Sequence, residues 1–218
     1  MRAITYVEGK SDKLALKALL RPLIEQKMNE GVGIHFFESP SGDRKASLLR
    51  KVPRKAVGIL RSDPHAEVIV LPDLYPPNKA FPHQTFAELR KGIRAEFTKE
   101  MNRLGVTDTR ISKRFHVHCL KHDLEVLLLA AAPTLLQYVE LDESPVSWTD
   151  PVEDQNHDTP PKHIVELLFG HQNTHYWGTI DAPRILESAN LQYVVANCPQ
   201  CFGPYVNFLE NASSRYET

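Results

Sequence analysis

Apolar positions in the first 139 residues alternate between short uninterrupted runs and longer stretches with a helical repeat. The runs at 4–7 and 68–71, the segment 115–120 and the alternating segment 32–36 have the length and composition of buried strands. Between them, apolar residues recur every three or four positions, as on one face of a helix. The resulting order β-α-β-α-β-α-β-α predicts an α/β fold with a mostly parallel, Rossmann-like sheet and helices on both faces.

Caps and prolines predict where the helices begin and break. Ser11 or Asp12 is the expected cap of the first helix, which Pro22 should kink or divide. A later helix should be interrupted at Pro53, because proline lacks the backbone N–H that an interior helical position donates. A further helix is expected over residues 122–132, directly after the fourth strand.

The chain changes character after residue 139. Residues 140–161 are acidic and rich in proline, which is typical of a long loop, and only short helical patterns follow them. We therefore expect a sheet domain over residues 1–139 and a small helical C-terminal addition over residues 140–218 that packs on it.

Composition and charge place the chain among ordinary globular proteins. Hydrophobic residues make up 42% of its 218 residues and charged residues 24%, and no apolar run is long enough to cross a membrane. The formal net charge of −1 argues against a protein that coats nucleic acid, although basic clusters at 44–61 and 90–121 leave room for a local basic groove. The odd count of three cysteines, with no visible signal peptide, indicates reduced thiols and a cytoplasmic protein.

Acidic residues follow three of the predicted strands. Glu8 ends the first strand, Asp73 ends the third, and Asp123 with Glu125 opens the helix after the fourth. Each has an ordinary alternative role, as a partner of a helix dipole, a turn former or a helix cap. Because ligands of open parallel sheets bind at the carboxyl ends of the strands, the set predicts a shared site for a divalent cation, most simply Mg²⁺.

Three short motifs carry a resemblance to a known fold. V-E-G at 7–9, the strand and aspartate VIVLPD at 68–73, and D-L-E at 123–125 resemble the motif set of the Toprim fold of topoisomerases, DnaG-type primases and overcoming-lysogenization-defect nucleases. The chain resembles more closely a Toprim-like family known only as a domain of unknown function. That resemblance covers nearly the whole chain, through DLYPPNKAFP (73–82), HDLEVLLLA (122–130), PVEDQN (151–156), TPPK (159–162) and CPQCF (198–202).

The resemblance implies roles for the acidic residues. Glu8 would act as a general acid/base or a metal ligand, and Asp73 as the principal ligand of Mg²⁺ or Mn²⁺. Glu125, with Asp123, would complete the metal shell, and His122 would orient an attacking water. Catalytic Toprim domains carry D-x-D after the central strand, whereas this chain has Asp73 followed by leucine and tyrosine, which puts a two-metal reaction in doubt.

The resemblance also implies a site for the phosphate. Lys10, Lys45 and Lys162 are the candidates to hold the scissile phosphate, and Gly9 would let the backbone turn sharply beside the substrate.

These roles imply a Mg²⁺-dependent nuclease that cleaves phosphodiester bonds of DNA or RNA, working with an ABC-type ATPase in prokaryotic antiviral defence. The alternative is a catalytically weak or inactive Toprim-like subunit that binds and regulates a partner ATPase or nucleic acid. A third possibility is a metal-dependent enzyme that transfers phosphoryl groups of small nucleotides.

Histidine and cysteine residues suggest a weaker, separate hypothesis. A zinc site is conceivable from the side chains that crowd at 116–122 and from one C-x-x-C pair, but a single pair without a second at standard spacing is weak evidence. The residues concerned are His116, His118, Cys119, His122, Cys198 and Cys201.

Overall fold

Four strands form one parallel sheet in residues 1–79 and 81–213, the parts of the chain that this computed structural model describes. The strand order is β2-β1-β3-β4, and every neighbouring pair is parallel. The central strands β1 and β3 are apolar and almost wholly buried, as expected for strands covered on both faces. The strands are β1 (Arg2–Val7), β2 (Gly33–Glu38), β3 (Ala66–Val70) and β4 (Phe115–Val117).

Helices connect the strands across both faces of the sheet, which confirms the predicted α/β fold. Alternate residues of β1 point to two separate cores: Ala3 and Val7 to one, Ile4 and Tyr6 to the other. The second core contains buried residues of the helices that connect β2 to β4. The connecting helices are α1 (Lys10–Leu19), α2 (Arg21–Asn29), α3 (Arg44–Ser62), α4 (Phe86–Arg103) and α5 (Thr109–Lys113).

The prolines behave differently from one another. The chain divides at Leu20, between α1 and α2, so the break expected at Pro22 is confirmed. The interruption expected at Pro53 is wrong, because α3 runs through it. Val52 and Ala56 are fully buried on either side of Pro53, so packing of the continuous apolar face outweighs the one hydrogen bond that the proline removes.

The C-terminal helices share the first core with β1 and α1. The hydroxyls of Thr5 in β1 and Tyr205 in the last helix are 3.0 Å apart and buried, so the two regions meet at the sheet. The boundary after residue 139 stays a prediction, and residues 214–218 of the expected extension lie outside the described residues. The helices are α6 (Glu125–Ala130), α7 (Ala132–Tyr138), α8 (Pro161–His171), α9 (Asp181–Glu187), α10 (Leu191–Asn197) and α11 (Phe202–Glu210), with a 3₁₀ turn at Val152–Asp154.

The strand order places a crevice at one point of the sheet. From β1 the chain moves to β2 on one side and then crosses to β3 on the other, so the order reverses between β1 and β3. In open parallel sheets, ligands bind outside the carboxyl ends of the strands at such a reversal. The residues that follow β1 and β3 therefore occupy the position from which a site is expected.

None of the helices in the described parts of the chain has the length and apolar character needed to cross a membrane.

Candidate functional site: an acidic cluster at the carboxyl edge of the sheet

Glu8 and Asp73, the residues that follow β1 and β3, are in direct contact. The backbone N–H of Asp73 donates a 3.2 Å hydrogen bond to Oε1 of Glu8. Asp73 is held in place by a parallel bridge to Leu120, which extends the pairing of β3 and β4 beyond the strands. The carboxylate of Glu8 therefore lies against the backbone of Asp73 at the point where the strand order reverses, and its charge raises the pKa of the Asp73 carboxyl group.

The N-terminus of α3 brings positive charge to this pair. Nζ of Lys45 lies 3.7 Å from Oε1 of Glu8 and donates a 2.6 Å hydrogen bond to the carbonyl of Pro76. Two cations in a first helical turn oppose the helix dipole, and Arg44 precedes Lys45 there. Nearby carboxylates offset the unfavourable interaction with the dipole, because Lys45 lies beside Glu8 and the charge of Arg44 partly opposes the burial that raises the pKa of Asp12.

Gly9 leaves space for the guanidinium of Arg44. A Cβ placed on Gly9 would lie 3.0 Å from Nη1 of Arg44, which is tighter than ordinary contact. The backbone of Gly9 is extended, with φ of −145°, which any residue adopts, so the expected sharp turn is not what the glycine provides here. Its N–H donates a 2.8 Å hydrogen bond to Oδ2 of Asp12, which is a member of the first turn of α1 rather than its cap.

Asp123 and Glu125 form the other half of the cluster, and the C-terminal region covers them. The backbone N–H and the ammonium of Lys162 both act on the carboxylate of Asp123. A Cβ placed on Gly178 would lie 3.7 Å from both Cβ of Ser11, in α1, and Oε1 of Glu125, in α6. The loop that contains Gly178 therefore lies between these two helices. The predicted extension therefore contributes directly to the site.

Two buried oxygens of this half have no hydrogen-bond partner. Within residues 1–79 and 81–213 they are Oδ1 of Asp123 and the hydroxyl of Tyr176. The hydroxyl has no well-formed hydrogen bond, but it lies close enough to Glu125 to lower the pKa of that carboxyl group, which burial raises. A buried polar atom without a partner costs free energy, so a polar or cationic ligand would relieve both.

Burial raises the pKa of every carboxyl group in the cluster. Desolvation is the largest cause for each, and for Asp73 the charges of Glu8 and Asp12 raise the pKa further, well above its usual value. Burial and the neighbouring Glu125 raise the pKa of Asp123 to about 7. The cations only partly oppose these shifts: Lys45 lowers the pKa of Glu8, whose net shift is still upward. The raised groups are Glu8, Asp12, Asp73, Asp123 and Glu125.

His122 faces a group of rings instead of the carboxylates. Its Nε2 lies 3.3 Å from the carbonyl oxygen of Glu153, and its ring centroid lies 5.8 Å from that of Tyr75 and 5.7 Å from that of His157. Burial lowers the pKa of His122, which keeps the ring neutral. A role of His122 in orienting water stays a prediction.

Lys10 does not join the cluster through any bond. It is exposed at the start of α1, and within the described part of the chain it makes neither a hydrogen bond nor an ion pair with the carboxylates. Lys45 and Lys162 are the two predicted lysines that the structure brings to the acidic residues.

The cluster offers pairs of ligands, not a preformed cage. Among the described residues, no group of three or more His, Cys, Asp or Glu side chains is placed to hold a metal ion. Mg²⁺ does not require such a cage, because it keeps several waters and is bound by one or two carboxylates together with substrate phosphates. The contacting pair Glu8 and Asp73 fits that mode of binding.

Asp12, Arg44 and Tyr176 belong to the cluster although none of them was predicted as a site residue. Asp12 is the third residue of α1, where an acidic side chain is a common capping signal. Because it stands only four residues after Glu8, it also lies close to the site. Arg44 is recognisable only as part of a basic segment, and Tyr176 lies more than fifty positions from Glu125 in the sequence. Tertiary contacts alone reveal these two.

The cysteines and histidines of the zinc hypothesis do not converge. Sγ of Cys119 lies 3.3 Å from Sγ of Cys201. Within the described residues, however, no third histidine, cysteine or carboxylate is placed to bind a metal with them. His116 instead pairs with Glu67 through a 2.6 Å contact, and His118 packs against Tyr205.

Comparison with known proteins gives one match. The model of a family described as Domain of unknown function (DUF4276) matches residues 7–210. No curated protein and no solved structure gives a significant match. The expected membership in a family known only as a domain of unknown function is confirmed at that level, and the finer link to Toprim nucleases stays a prediction.

Proposed function

We propose that this chain, which belongs to the DUF4276 family, is a Mg²⁺- or Mn²⁺-dependent nuclease of Toprim type that hydrolyses phosphodiester bonds at the acidic edge of its sheet. The observation that carries the proposal is the contact between Glu8 and Asp73 at the reversal of the strand order, beside a buried oxygen of Asp123 that has no partner. The ABC-type ATPase partner and the role in antiviral defence come from the Toprim resemblance, the cytoplasmic location comes from the cysteine count and the absence of a visible signal peptide, and all three are part of the proposal.

The residues present suit a divalent ion and a phosphate together. Glu8 and Asp73, together with waters and the substrate phosphate, would hold the ion, which would supply a water of lowered pKa and charge for the developing phosphate oxygens. Carboxylates crowded in a partly buried site repel one another, so a divalent cation relieves a cost that the chain already bears. Lys45 lies beside Glu8 and Lys162 acts on Asp123, and both would bind the nonbridging oxygens of the phosphate.

The assay that tests the proposal is cleavage of plasmid and single-stranded DNA, and of RNA, with Mg²⁺ or Mn²⁺. We expect Glu8→Gln and Asp73→Asn each to lower the rate by at least about 100-fold, since each removes a charge needed in the transition state. Glu38→Gln is the matched control: Glu38 ends β2 at the same edge, but it is exposed and paired with Lys13 at 3.1 Å. Equal cleavage by wild type and both cluster variants would refute the proposal.

A second candidate is a subunit that binds the ion and nucleic acid but does not cleave. One observation favours it: Asp73 is followed by Leu74 and Tyr75, so these positions offer no second carboxylate. Leu74 is buried in the core, and the hydroxyl of Tyr75 donates a 2.8 Å hydrogen bond to the carbonyl of Gln84. This candidate predicts Mn²⁺ binding that depends on Asp73 together with no cleavage, with or without an added ATPase partner.

A further inference from the structure

A second, basic cavity lies at the opposite edge of the sheet. It is formed by the segments that lead into β3 and β4, and so it is separated from the acidic cluster by the length of a strand, about 17–20 Å. Its volume is about 720 Å³, within the range of small-molecule sites. The proposed nuclease activity makes no use of it.

Four cations and one carboxylate line this cavity, in a chain whose net charge is −1. The carboxylate of Asp108 is already engaged by the guanidinium of Arg110, at 3.0 Å. Arg61 and Lys113 are exposed at the rim. The nearby carboxylate of Asp63 is turned to the side chain of Arg2, whose Nε donates to it at 2.9 Å.

Arg114 is a buried cation without a carboxylate bonded to it. Its guanidinium donates to the backbone carbonyls of Leu60, Asp63 and Ala66 at 2.6–3.0 Å, and no carboxylate hydrogen-bonds to it within the described chain. Asp108 is near enough for the charge of Arg114 to lower its pKa, but Asp108 is bonded to Arg110. The carbonyls satisfy the hydrogen bonds of the guanidinium but carry no net charge, so the charge of Arg114 adds to that of the exposed cations at the rim.

The rest of the wall is apolar. Pro64 and Leu104 are exposed and Val106 is half-buried, and these three form an apolar floor, whereas Leu60 and Ile111 are almost fully buried. A ligand that joins a flat, weakly polar group to several negative charges would meet both parts of the cavity. The apolar lining residues are Leu60, Pro64, Leu104, Val106 and Ile111.

We propose that this amino-edge cavity binds a nucleoside diphosphate or triphosphate, with its phosphates on Arg61 and Lys113 and its base on the apolar floor. Charge-assisted bonds from arginine and lysine to phosphate oxygens supply the affinity, and the concave apolar floor favours a nucleotide over inorganic phosphate. The site is distinct from the acidic cluster and needs no divalent ion.

The test is calorimetric titration of the full chain with ADP and ATP in EDTA, so that no metal at the acidic cluster takes part. We expect binding of one nucleotide per chain, with adenosine and orthophosphate each at least about tenfold weaker. The double variant Arg61→Ala/Lys113→Ala should bind at least about tenfold more weakly, because two charge-assisted contacts are lost. Both residues are exposed, so the variant is expected to fold normally.

Two controls separate this proposal from the nuclease. Lys17→Ala/Lys91→Ala removes the same charge from exposed positions outside the cavity and should bind nucleotide like wild type. Asp73→Asn, which disables the proposed nuclease, should also leave nucleotide binding unchanged. The proposal is overturned if neither nucleotide binds at millimolar concentration, if the cavity variant binds as wild type, or if only an oligonucleotide or orthophosphate binds.

Discussion

The two edges of the sheet carry opposite charge, although the chain as a whole is nearly neutral. At the carboxyl edge, five acidic side chains crowd around the ends of β1 and β3, and the pKa of each is raised. At the amino edge, four cations line a cavity that contains one carboxylate. Net charge therefore says little about partners here, because the charge is segregated along the direction of the strands.

The buried charges at the two edges also differ in how they are satisfied. The guanidinium of Arg114 is bonded to three carbonyls, which makes it part of the fold. Oδ1 of Asp123 is equally hidden but has no partner in the described residues. A charge that the protein itself satisfies indicates a structural role, whereas an unsatisfied one points to a ligand.

The largest effect that separates the edges should come from Arg114→Met. Removal of the guanidinium leaves three buried carbonyls without their donors, so we expect the free energy of unfolding to fall by about 3 kcal/mol or more. Urea denaturation measures it, with Arg110→Met as the exposed control that should stay within about 0.5 kcal/mol. A loss no greater than that of the control would mean that Arg114 is not structural.

A pH effect of intermediate size should come from the acidic edge. The folded chain holds the proton of Asp123 up to about pH 7, whereas the unfolded chain releases it near the usual value of 3.8. Between these values the folded state binds more protons, so the free energy of unfolding should decrease as the pH rises. In EDTA, the free energy of unfolding of wild type should fall by about 2–3 kcal/mol more than that of Asp123→Asn between pH 5 and pH 8.

Asp142→Asn provides the control for that measurement, since Asp142 is exposed in the C-terminal region. Identical pH profiles for wild type and Asp123→Asn would show that burial of this carboxyl group has no thermodynamic consequence.

The smallest effect concerns the hydroxyl of Tyr176. Because this buried oxygen has no partner among the described residues, Tyr176→Phe in EDTA should raise the free energy of unfolding by about 1 kcal/mol. Thermal or urea denaturation measures it. A loss of stability instead would show that the hydroxyl donates a real hydrogen bond to Glu125, and the acidic edge would then be better satisfied than this account holds.

The sequence predicts the parts of this comparison that depend on local pattern. Glu8 and Asp73 are recognisable because a buried strand precedes each of them, and parallel strands bring their ends to one edge. Arg114 and Tyr176 are not recognisable, since their surroundings come from segments that are distant in the chain. The error at Pro53 has the same origin, because burial of the α3 face outweighs a local signal.

The most direct test of a cation site at the ends of β1 and β3 is a titration of the full chain with Mn²⁺ at pH 8, in which electron paramagnetic resonance measures the free and bound ion. We expect wild type to bind Mn²⁺ and Mg²⁺ to displace it, with binding retained in Glu38→Gln and lost in Asp73→Asn. Equal Mn²⁺ binding by wild type and Asp73→Asn, or no binding by wild type, would contradict a cation site at the ends of β1 and β3.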